Sequence, residues 1–209
     1  MKKLIASALT VLTSLTACAQ NKDIKLPEPQ KTGGKPLMDC INNRQSAREF
    51  DQTKEVSAQT LSNLLWVAYG FNREDKRTVP TSRNKQEMDV YVALKSGIYL
   101  WDAKTNVLKL IVAGDFRKAT GAQAFVEIAP VNLIFVCNKT KAECNTELQL
   151  AEATYANAGF MSQNVYLYCA SEGLATVVRG WIPKEELSKV MKLAPDQIIV
   201  LAQTVGYPK

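Results

Sequence analysis

The spacing of hydrophobic residues predicts helices in four parts of the chain. The first covers residues 37–43, and the second begins after Ser57, a residue suited to cap a helix, and ends at a glycine. The longest covers residues 147–172, and a last short helix covers residues 184–192. The longest helix contains Gly159 and several alanines, small residues that let two helices approach closely, although alanine is also the best helix former.

Shorter apolar runs, alternating or continuous, predict six strands. They cover residues 88–94, 97–102, 107–111, 131–137, 175–178 and 198–204. Short polar turns separate the first three, which indicates an antiparallel group, and a long polar loop with Pro80 inside precedes them at residues 73–87. Because strands and helices are segregated rather than strictly alternating, the predicted fold class is α+β.

The first eighteen residues have the pattern of an export signal. Lys2 and Lys3 form a short positive region, and residues 4–16 are apolar but too few to span a bilayer. The run Leu15-Thr16-Ala17-Cys18 resembles the lipobox of bacterial lipoproteins, which implies cleavage before Cys18 and lipidation of that cysteine. The alternative is a plain secretory leader with a chance cysteine. Either signal predicts export, and the lipoprotein signal predicts an anchor in the bacterial cell envelope, on the periplasmic or outer-membrane side.

The segment after the signal is polar and has no apolar repeat. Pro27, Pro29, Gly33 and Gly34 interrupt it, and Pro36 ends it. We therefore expect three parts: a signal peptide at residues 1–17, a flexible tether at residues 18–36, and a folded domain at residues 37–209.

Composition and charge narrow the class of function. The 209 residues are 46% hydrophobic and 22% charged, which is typical of one globular domain. The net charge is +6, yet no run of five basic residues and no basic-aromatic interleaving occurs, so nucleic acid is not an expected partner. A mild excess of lysine and arginine suits an anionic small molecule or a phosphate.

The chain contains no histidine. Ser-His-Asp and Cys-His nucleophile pairs and a His-ligated zinc are therefore excluded, and no metal site is predicted. No Cys-x-x-Cys occurs, and no Gly-x-Gly-x-x-Gly follows a strand, so neither a thioredoxin-like site nor a Rossmann site is indicated. Cys137 and Cys144 flank a polar loop and could close a small disulfide ring. The remaining candidates for a catalytic role are carboxylates, lysine, arginine, tyrosine or a bound cofactor.

Two polar segments carry groups suited to a phosphorylated ligand. Arg44, Ser46 and Arg48 place two guanidinium groups and a hydroxyl within five residues, although such a set is also common in a solvated turn. The loop at residues 77–86 is rich in hydroxyl and amide groups. Its Asn84 and Gln86 each offer a donor and an acceptor, as the pyrimidine edge of a flavin requires.

A third segment joins the longest helix to a strand. Gln163 and Asn164 lie within the helix, which passes through Gly173 into the strand and a turn at Arg179-Gly180. The alternative is an ordinary core helix and strand with a glycine at the helix C-terminus.

In this order and at these separations, the segments resemble the nitroreductase family of FMN proteins over about residues 37–209. The matching motifs are Arg-x-Ser-x-Arg-x-Phe from Arg44, the loop from Pro80 to Gln86, Gln163-Asn164-x-x-Leu167 with Gly173-Leu174, and Val205-Gly206-Tyr207-Pro208. Within the family, Arg77-Thr78 and Gly180-Trp181 resemble the branch of thiazoline- and oxazoline-oxidising peptide dehydrogenases.

The resemblance implies a mainly antiparallel mixed sheet flanked by helices, with the long central helix at a homodimer interface. It implies that Arg44 and Ser46 hold the phosphate and ribityl chain of FMN, and that Arg48 lies near flavin N1 and the C2 carbonyl. The partner subunit's loop would supply Pro80, Thr81, Ser82 and Asn84.

The resemblance also implies that the backbone N–H groups of Arg179 and Gly180 meet flavin N5, a placement that holds to within one residue. Many members of the family bind the phosphate through a basic C-terminal tail, for which only Lys209 remains here. The expected activity is that of a two-electron FMN oxidoreductase with ping-pong kinetics, acting on a small-molecule substrate or electron acceptor. The alternatives are a dehydrogenase of peptide-derived substrates and a non-catalytic flavin- or ligand-binding lipoprotein.

Overall fold

A seven-stranded antiparallel sheet lies at the centre of the structure, a computed structural model that describes residues 22–209. The strands are β1 Ile24–Lys25, β2 Met88–Leu94, β3 Gly97–Asp102, β4 Val107–Ala113, β5 Val131–Asn138, β6 Ala175–Arg179 and β7 Gln197–Gly206. Their order across the sheet is β1-β4-β3-β2-β5-β7-β6, so β1 and β6 form its two edges. The α+β prediction is confirmed, and the six predicted strands lie within two residues of their expected bounds.

Helices cover both faces of the sheet. They are α1 Leu37–Asn43, α2 Ala58–Tyr69, α3 Phe125–Ile128, α4 Lys139–Ala142, α5 Glu147–Glu172 and α6 Lys184–Val190. On one face, Leu64 of α2 and Met161 of α5 pack with Phe135, and all three are fully buried. On the other face, Leu187 of α6 packs with Ile134. Burying each such side chain contributes about 1.5–3 kcal/mol, which fixes the helices on the sheet.

Local capping sets the ends of the two long helices. The Ser57 hydroxyl accepts a hydrogen bond from the N–H of Thr60 at the start of α2, as its sequence position predicts. Thr146 caps α5 in the same way, through the N–H of Gln149. Gly173 ends α5 with a φ of 70°, a left-handed conformation that glycine adopts without strain.

One face of α5 is exposed from Leu148 to Gln163. The exposed α5 face consists of Leu148, Glu152, Tyr155, Ala156, Gly159, Phe160 and Gln163. Spacings of three and four residues place these positions on one side of the helix, opposite the side that packs on the sheet. Leu148, Tyr155 and Phe160 are large hydrophobic residues with 69%, 51% and 47% of their surface exposed. A surface of this kind is a candidate protein interface.

The described part of the expected tether lies against the domain instead of extending from it. Strand β1 adds an edge strand to β4, and Leu26 after it is buried in the main core. The carbonyl of Pro27 accepts hydrogen bonds from the Ser62 hydroxyl at 2.5 Å and from the side-chain amide of Asn106 at 2.7 Å. Burial of Leu26 and the free backbone groups of β4 explain the difference from the expected extended segment.

The short elements were not predicted, because four residues are too few to show a helical repeat. These are α3, α4 and two 3-10 turns at Ser82–Asn84 and Arg117–Thr120. The predicted signal peptide and Cys18 lie outside the described residues. Within residues 22–209, no helix is both long and apolar enough to cross a membrane.

Candidate functional site

The segment from Arg44 to Phe50 crosses the open edge of β6. The N–H of Ala47 donates to the carbonyl of Thr176 at 2.9 Å, which attaches the middle of the segment to that strand. Phe50 forms a β-bridge with Pro208, which follows β7. The segment is thus held at two points, and it carries Arg44, Ser46 and Arg48 along the edge of the sheet.

Tyr166 of α5 connects this segment to the strand. Its hydroxyl lies 2.7 Å from the Ser46 hydroxyl and accepts a hydrogen bond from the N–H of Val178 at 3.0 Å. The Arg44 guanidinium lies 5.2 Å from the centre of the Tyr166 ring, within the range of a cation–π contact. The sequence did not point to this role, since the apolar repeat of α5 explains a tyrosine at this position equally well.

The strand register decides which backbone N–H faces the open edge. The Thr176 carbonyl and the Val178 N–H both point away from β7, because they bond to Ala47 and Tyr166. Backbone direction alternates along a strand, so the groups of Arg179 point toward β7, where Arg179 pairs with Ala202. The N–H of Gly180 points toward the open edge. Within residues 22–209, it donates to no protein acceptor. Gly180 is therefore the better placed of the two predicted donors.

Arg48 and Lys209 meet at a second part of this region. Both line a cleft of about 530 Å³ together with Phe50 and Phe125, whose ring centres are 5.8 Å apart. Arg44 does not line that cleft, and packs on Tyr166 instead. The structure therefore distributes the predicted cationic groups over two neighbouring positions.

The polar loop at residues 77–86 is braced by its own side chains. The Arg77 guanidinium lies 3.9 Å from the ring centre of Phe71 and 4.5 Å from that of Tyr69. Its Nε donates to the side-chain oxygen of Gln86 at 2.8 Å, and the Gln86 amide donates to Asn84 at 3.1 Å. Burial lowers the pKa of Arg77. These contacts give the loop a defined shape.

The tip of this loop has an unusual backbone. Arg83, Asn84 and Gln86 have φ values of 52°, 56° and 51°, in the left-handed region that non-glycine residues seldom occupy. The Thr81 hydroxyl accepts a hydrogen bond from the N–H of Gln86 at 3.0 Å and helps to maintain this conformation. Strained backbone that is held by its surroundings tends to cluster at functional sites. Pro80 and Ser82 are exposed beside it.

One chain does not bring the two predicted halves of the site together. Ser82 of the loop shares a cleft with Glu152 and Ala153, near the start of α5. The segment from Arg44 to Phe50 lies beside Tyr166, thirteen residues further along the same helix. At 1.5 Å per residue this separation is about 20 Å.

The described cysteines are all free thiols. Cys137 is fully buried, and burial raises the pKa of its thiol to about 12. The disulfide ring that the sequence left open is therefore not formed with Cys144 in this structure.

Comparisons with known proteins agree with this architecture. A family model described as the nitroreductase family matches residues 41–207. A candidate nitroreductase of Methanocaldococcus jannaschii is 25% identical over 190 residues, which are 86% of this chain and 94% of that protein. The crystal structure of a candidate nitroreductase from Ralstonia eutropha is 42% identical, covers 90% of each chain and has a TM-score of 0.84. A chain of the E. coli microcin synthetase complex with a truncated pro-microcin bound shares the fold, with 15% identity and a TM-score of 0.69, over 99% of this chain and 85% of that chain.

Proposed function

Because the chain belongs to the nitroreductase family, we propose that it is an FMN-dependent oxidoreductase that transfers two electrons between small molecules by a ping-pong mechanism. The observation that carries the proposal is the edge of β6. There an unpaired backbone N–H of Gly180 lies on the same edge as a segment with two guanidinium groups and a hydroxyl. When bound, the flavin supplies the two-electron redox chemistry, which acid–base side chains cannot supply.

The donors present fit the parts of FMN. Arg44 and Ser46, both fixed by Tyr166, are suited to the phosphate and ribityl chain, since guanidinium and hydroxyl groups donate to phosphate oxygens. Arg48 and Lys209 supply two cationic groups in the neighbouring cleft, which Glu49 and Asp51 also line. The Gly180 N–H is suited to hydrogen-bond the N5 edge of the ring, where a fixed donor both orients the ring and tunes it.

We propose that the site is completed by a second copy of the chain. In one chain, the loop at residues 77–86 and the segment from Arg44 to Phe50 lie beside two points of α5 that are about 20 Å apart. If the α5 helices of two subunits pack antiparallel, the loop of each subunit approaches the segment of the other. The midpoint between Ala153 and Tyr166 falls at Gly159 and Phe160, which are the middle of α5 and belong to the exposed α5 face. A glycine at the crossing point allows close approach, and Tyr155 and Phe160 supply apolar surface on either side.

In that arrangement, each loop serves the flavin of the other subunit. Pro80, Thr81 and Ser82 would border the ring, and Asn84 and Gln86 would offer amide groups to its pyrimidine edge. The hydrogen bonds within the loop support this role, because they fix the positions of the Gln86 and Asn84 side chains.

The first test of the proposal is the cofactor itself. We expect native mass spectrometry of the purified protein to show two chains with two FMN. Arg48→Ala should weaken FMN binding about tenfold to a hundredfold, since a hydrogen bond to a charged group contributes about 1.5–3 kcal/mol. Arg73→Ala is the matched control, because Arg73 is an exposed arginine whose side chain bonds only its neighbour Asn72. A monomer that binds FMN at full strength contradicts the shared site.

A second candidate activity is oxidation of a peptide-derived substrate. Arg77-Thr78 and Gly180-Trp181 resemble the branch of the family with that activity. The Trp181 side chain has 71% of its surface exposed directly beside Gly180, which offers an organic substrate an apolar surface next to the proposed ring position. Reduction of the bound flavin by a thiazoline- or oxazoline-containing peptide would favour this activity. Flavin that no donor except dithionite reduces would favour a binding protein without catalytic activity.

We propose that NADH and NADPH are not the physiological donors, because the predicted export signal would direct the protein away from the cytoplasm. We expect stopped-flow mixing with about 0.1–1 mM NADH or NADPH, the upper part of the usual KM range, to reduce bound FMN slowly. Dithionite serves as the control for complete reduction. Rates above roughly 10 per second, a typical enzyme turnover, would instead identify a conventional nitroreductase.

We propose that Cys18 carries the lipid anchor of an envelope lipoprotein. Residues 23–30 contact the domain, so four residues in the sequence, Ala19 to Lys22, separate Cys18 from the first described contact. Such a segment spans about 14 Å at full extension. The domain would then remain close to the bilayer, within reach of a membrane quinol or a membrane-bound redox partner, rather than extend far from it.

A further inference from the structure

Arg179 ends β6 with a side chain buried on the sheet face opposite α5. Only 3% of the residue is exposed. Its Nε donates to the Thr204 hydroxyl at 2.8 Å, and its two terminal nitrogens donate to the Thr120 carbonyl at 2.7 Å and to the Asn132 side-chain oxygen at 3.0 Å. One guanidinium thus joins β6 to β5, to β7 and to the 3-10 turn at Arg117–Thr120.

All of these acceptors are neutral. Within residues 22–209, no carboxylate forms an ion pair with Arg179. Burial lowers its pKa to about 10, so the guanidinium stays charged at neutral pH. Arg117 in the neighbouring turn differs, because it forms a salt bridge of 2.7 Å with Asp115. Burying a cation without an anionic partner has a large desolvation cost, so a function that needs the charge would explain why it is present.

The space around the Arg179 guanidinium is tightly packed. A Cβ added at Gly121 would lie 2.0 Å from a terminal nitrogen of Arg179, although the backbone there is extended and would accept any residue. Gly121 therefore packs directly against the cation and limits its movement. The following turn is tied to the same place, since the N–H of Ala122 donates to the carbonyl of Trp181 at 3.3 Å.

We propose that Arg179 is a positioning residue for the bound flavin, which fixes the turn at Gly180 and supplies an uncompensated positive charge behind the edge where the Gly180 N–H donates. The inference rests on the proposed function. Reduced flavin carries more negative charge than oxidised flavin, and a nearby cation in a poorly solvated environment stabilises it. Arg179 therefore acts through its side chain, whose charge raises the midpoint potential of the flavin. Its backbone N–H faces β7 and takes no part.

The test compares three variants by FMN dissociation constant, flavin midpoint potential and melting temperature of the apoprotein. We expect Arg179→Met to bind FMN at least tenfold more weakly and to shift the potential to a lower value. Arg179→Lys keeps the charge but loses the fork of hydrogen bonds, so it should lose affinity and retain a potential near that of the wild type. Arg117→Met also removes one positive charge from the same turn, but its partner Asp115 is exposed. Solvent therefore screens the charge that remains, and the potential should shift far less than in Arg179→Met.

Gly121→Ala provides a variant that moves the guanidinium without removing it. We expect at least tenfold weaker FMN binding, and this variant decides the question if Arg179→Met does not fold; wild-type affinity in Gly121→Ala would then overturn the inference. Equal flavin midpoint potentials in the wild type and in a folded Arg179→Met would also overturn the inference, even if Arg179→Met and Gly121→Ala have lower melting temperatures. A wild type and Arg117→Met that bind no FMN overturn the proposed function itself, and the inference with it.

Discussion

Replacing Gly159 by leucine is expected to give a folded monomer that binds FMN roughly a hundredfold more weakly than the wild type, since several contacts of about 0.5–1.5 kcal/mol each come from the partner's loop. Gly159 lies on the exposed α5 face, and a Cβ built there meets no atom of the same chain within 4 Å. The substitution therefore creates no clash within one subunit. Leucine is also a better helix former than glycine, by about 0.5–1 kcal/mol.

The cost of the substitution arises only between subunits. If two α5 helices cross at Gly159, a leucine from each subunit separates the helices at their closest point. Each loop then moves away from the partner's Arg44–Phe50 segment, and the flavin site loses the groups from Pro80 to Gln86. In this arrangement, a substitution that dissociates the dimer therefore also weakens FMN binding.

Light scattering after gel filtration measures the oligomeric state, and titration of the apoprotein with FMN measures the affinity. Gly159→Ala is the matched control, because a methyl group fits where two helices approach closely. Ala58→Leu is a second control, an exposed position at the start of α2 and away from the exposed α5 face. A dimeric Gly159→Leu with full affinity for FMN would contradict the proposed crossing point, whereas a monomer with full affinity would contradict the shared site.

The long elements of the fold were predictable because they bury many residues in a regular repeat. Strand β5 is buried over seven consecutive positions, and α2 and α5 carry caps that mark their ends. Strand β1 gave no such signal. Its two residues pair only because β4 presents a free edge and Leu26 finds space in the core, and both conditions depend on residues about eighty positions away.

The residue types of the candidate site were readable from the sequence, but their arrangement was not. The choice between Arg179 and Gly180 as donor depends on the register of β6 against β7. The role of Tyr166 depends on contact between α5 and a segment 120 residues earlier. The buried contacts of Arg179 join three parts of the chain that no local pattern connects.

We expect Cys18→Ala to move the protein from the membrane fraction to the soluble fraction, or to leave the signal peptide uncleaved. The motif Leu15-Thr16-Ala17-Cys18 resembles a lipobox, in which the thiol of the cysteine receives the lipid. Several acyl chains on one residue anchor a protein stably, since each buried CH₂ contributes about 0.8 kcal/mol, whereas a single chain binds reversibly. Alanine removes the only sulfur at the cleavage position, so the loss of anchoring should be complete.

Cys144→Ala is the matched control, since Cys144 is a partly exposed thiol of the folded domain. Labelling cells with radioactive palmitate should mark the wild type and Cys144→Ala but not Cys18→Ala. The released Cys18→Ala protein should retain its flavin, because contacts with the domain begin at Asp23 and Ile24, beyond the substituted residue. A Cys18→Ala protein that stays in the membrane and is cut at the same place would contradict the lipoprotein signal. The four-residue separation between Cys18 and Asp23 would then set no limit on the distance between the flavin site and the bilayer.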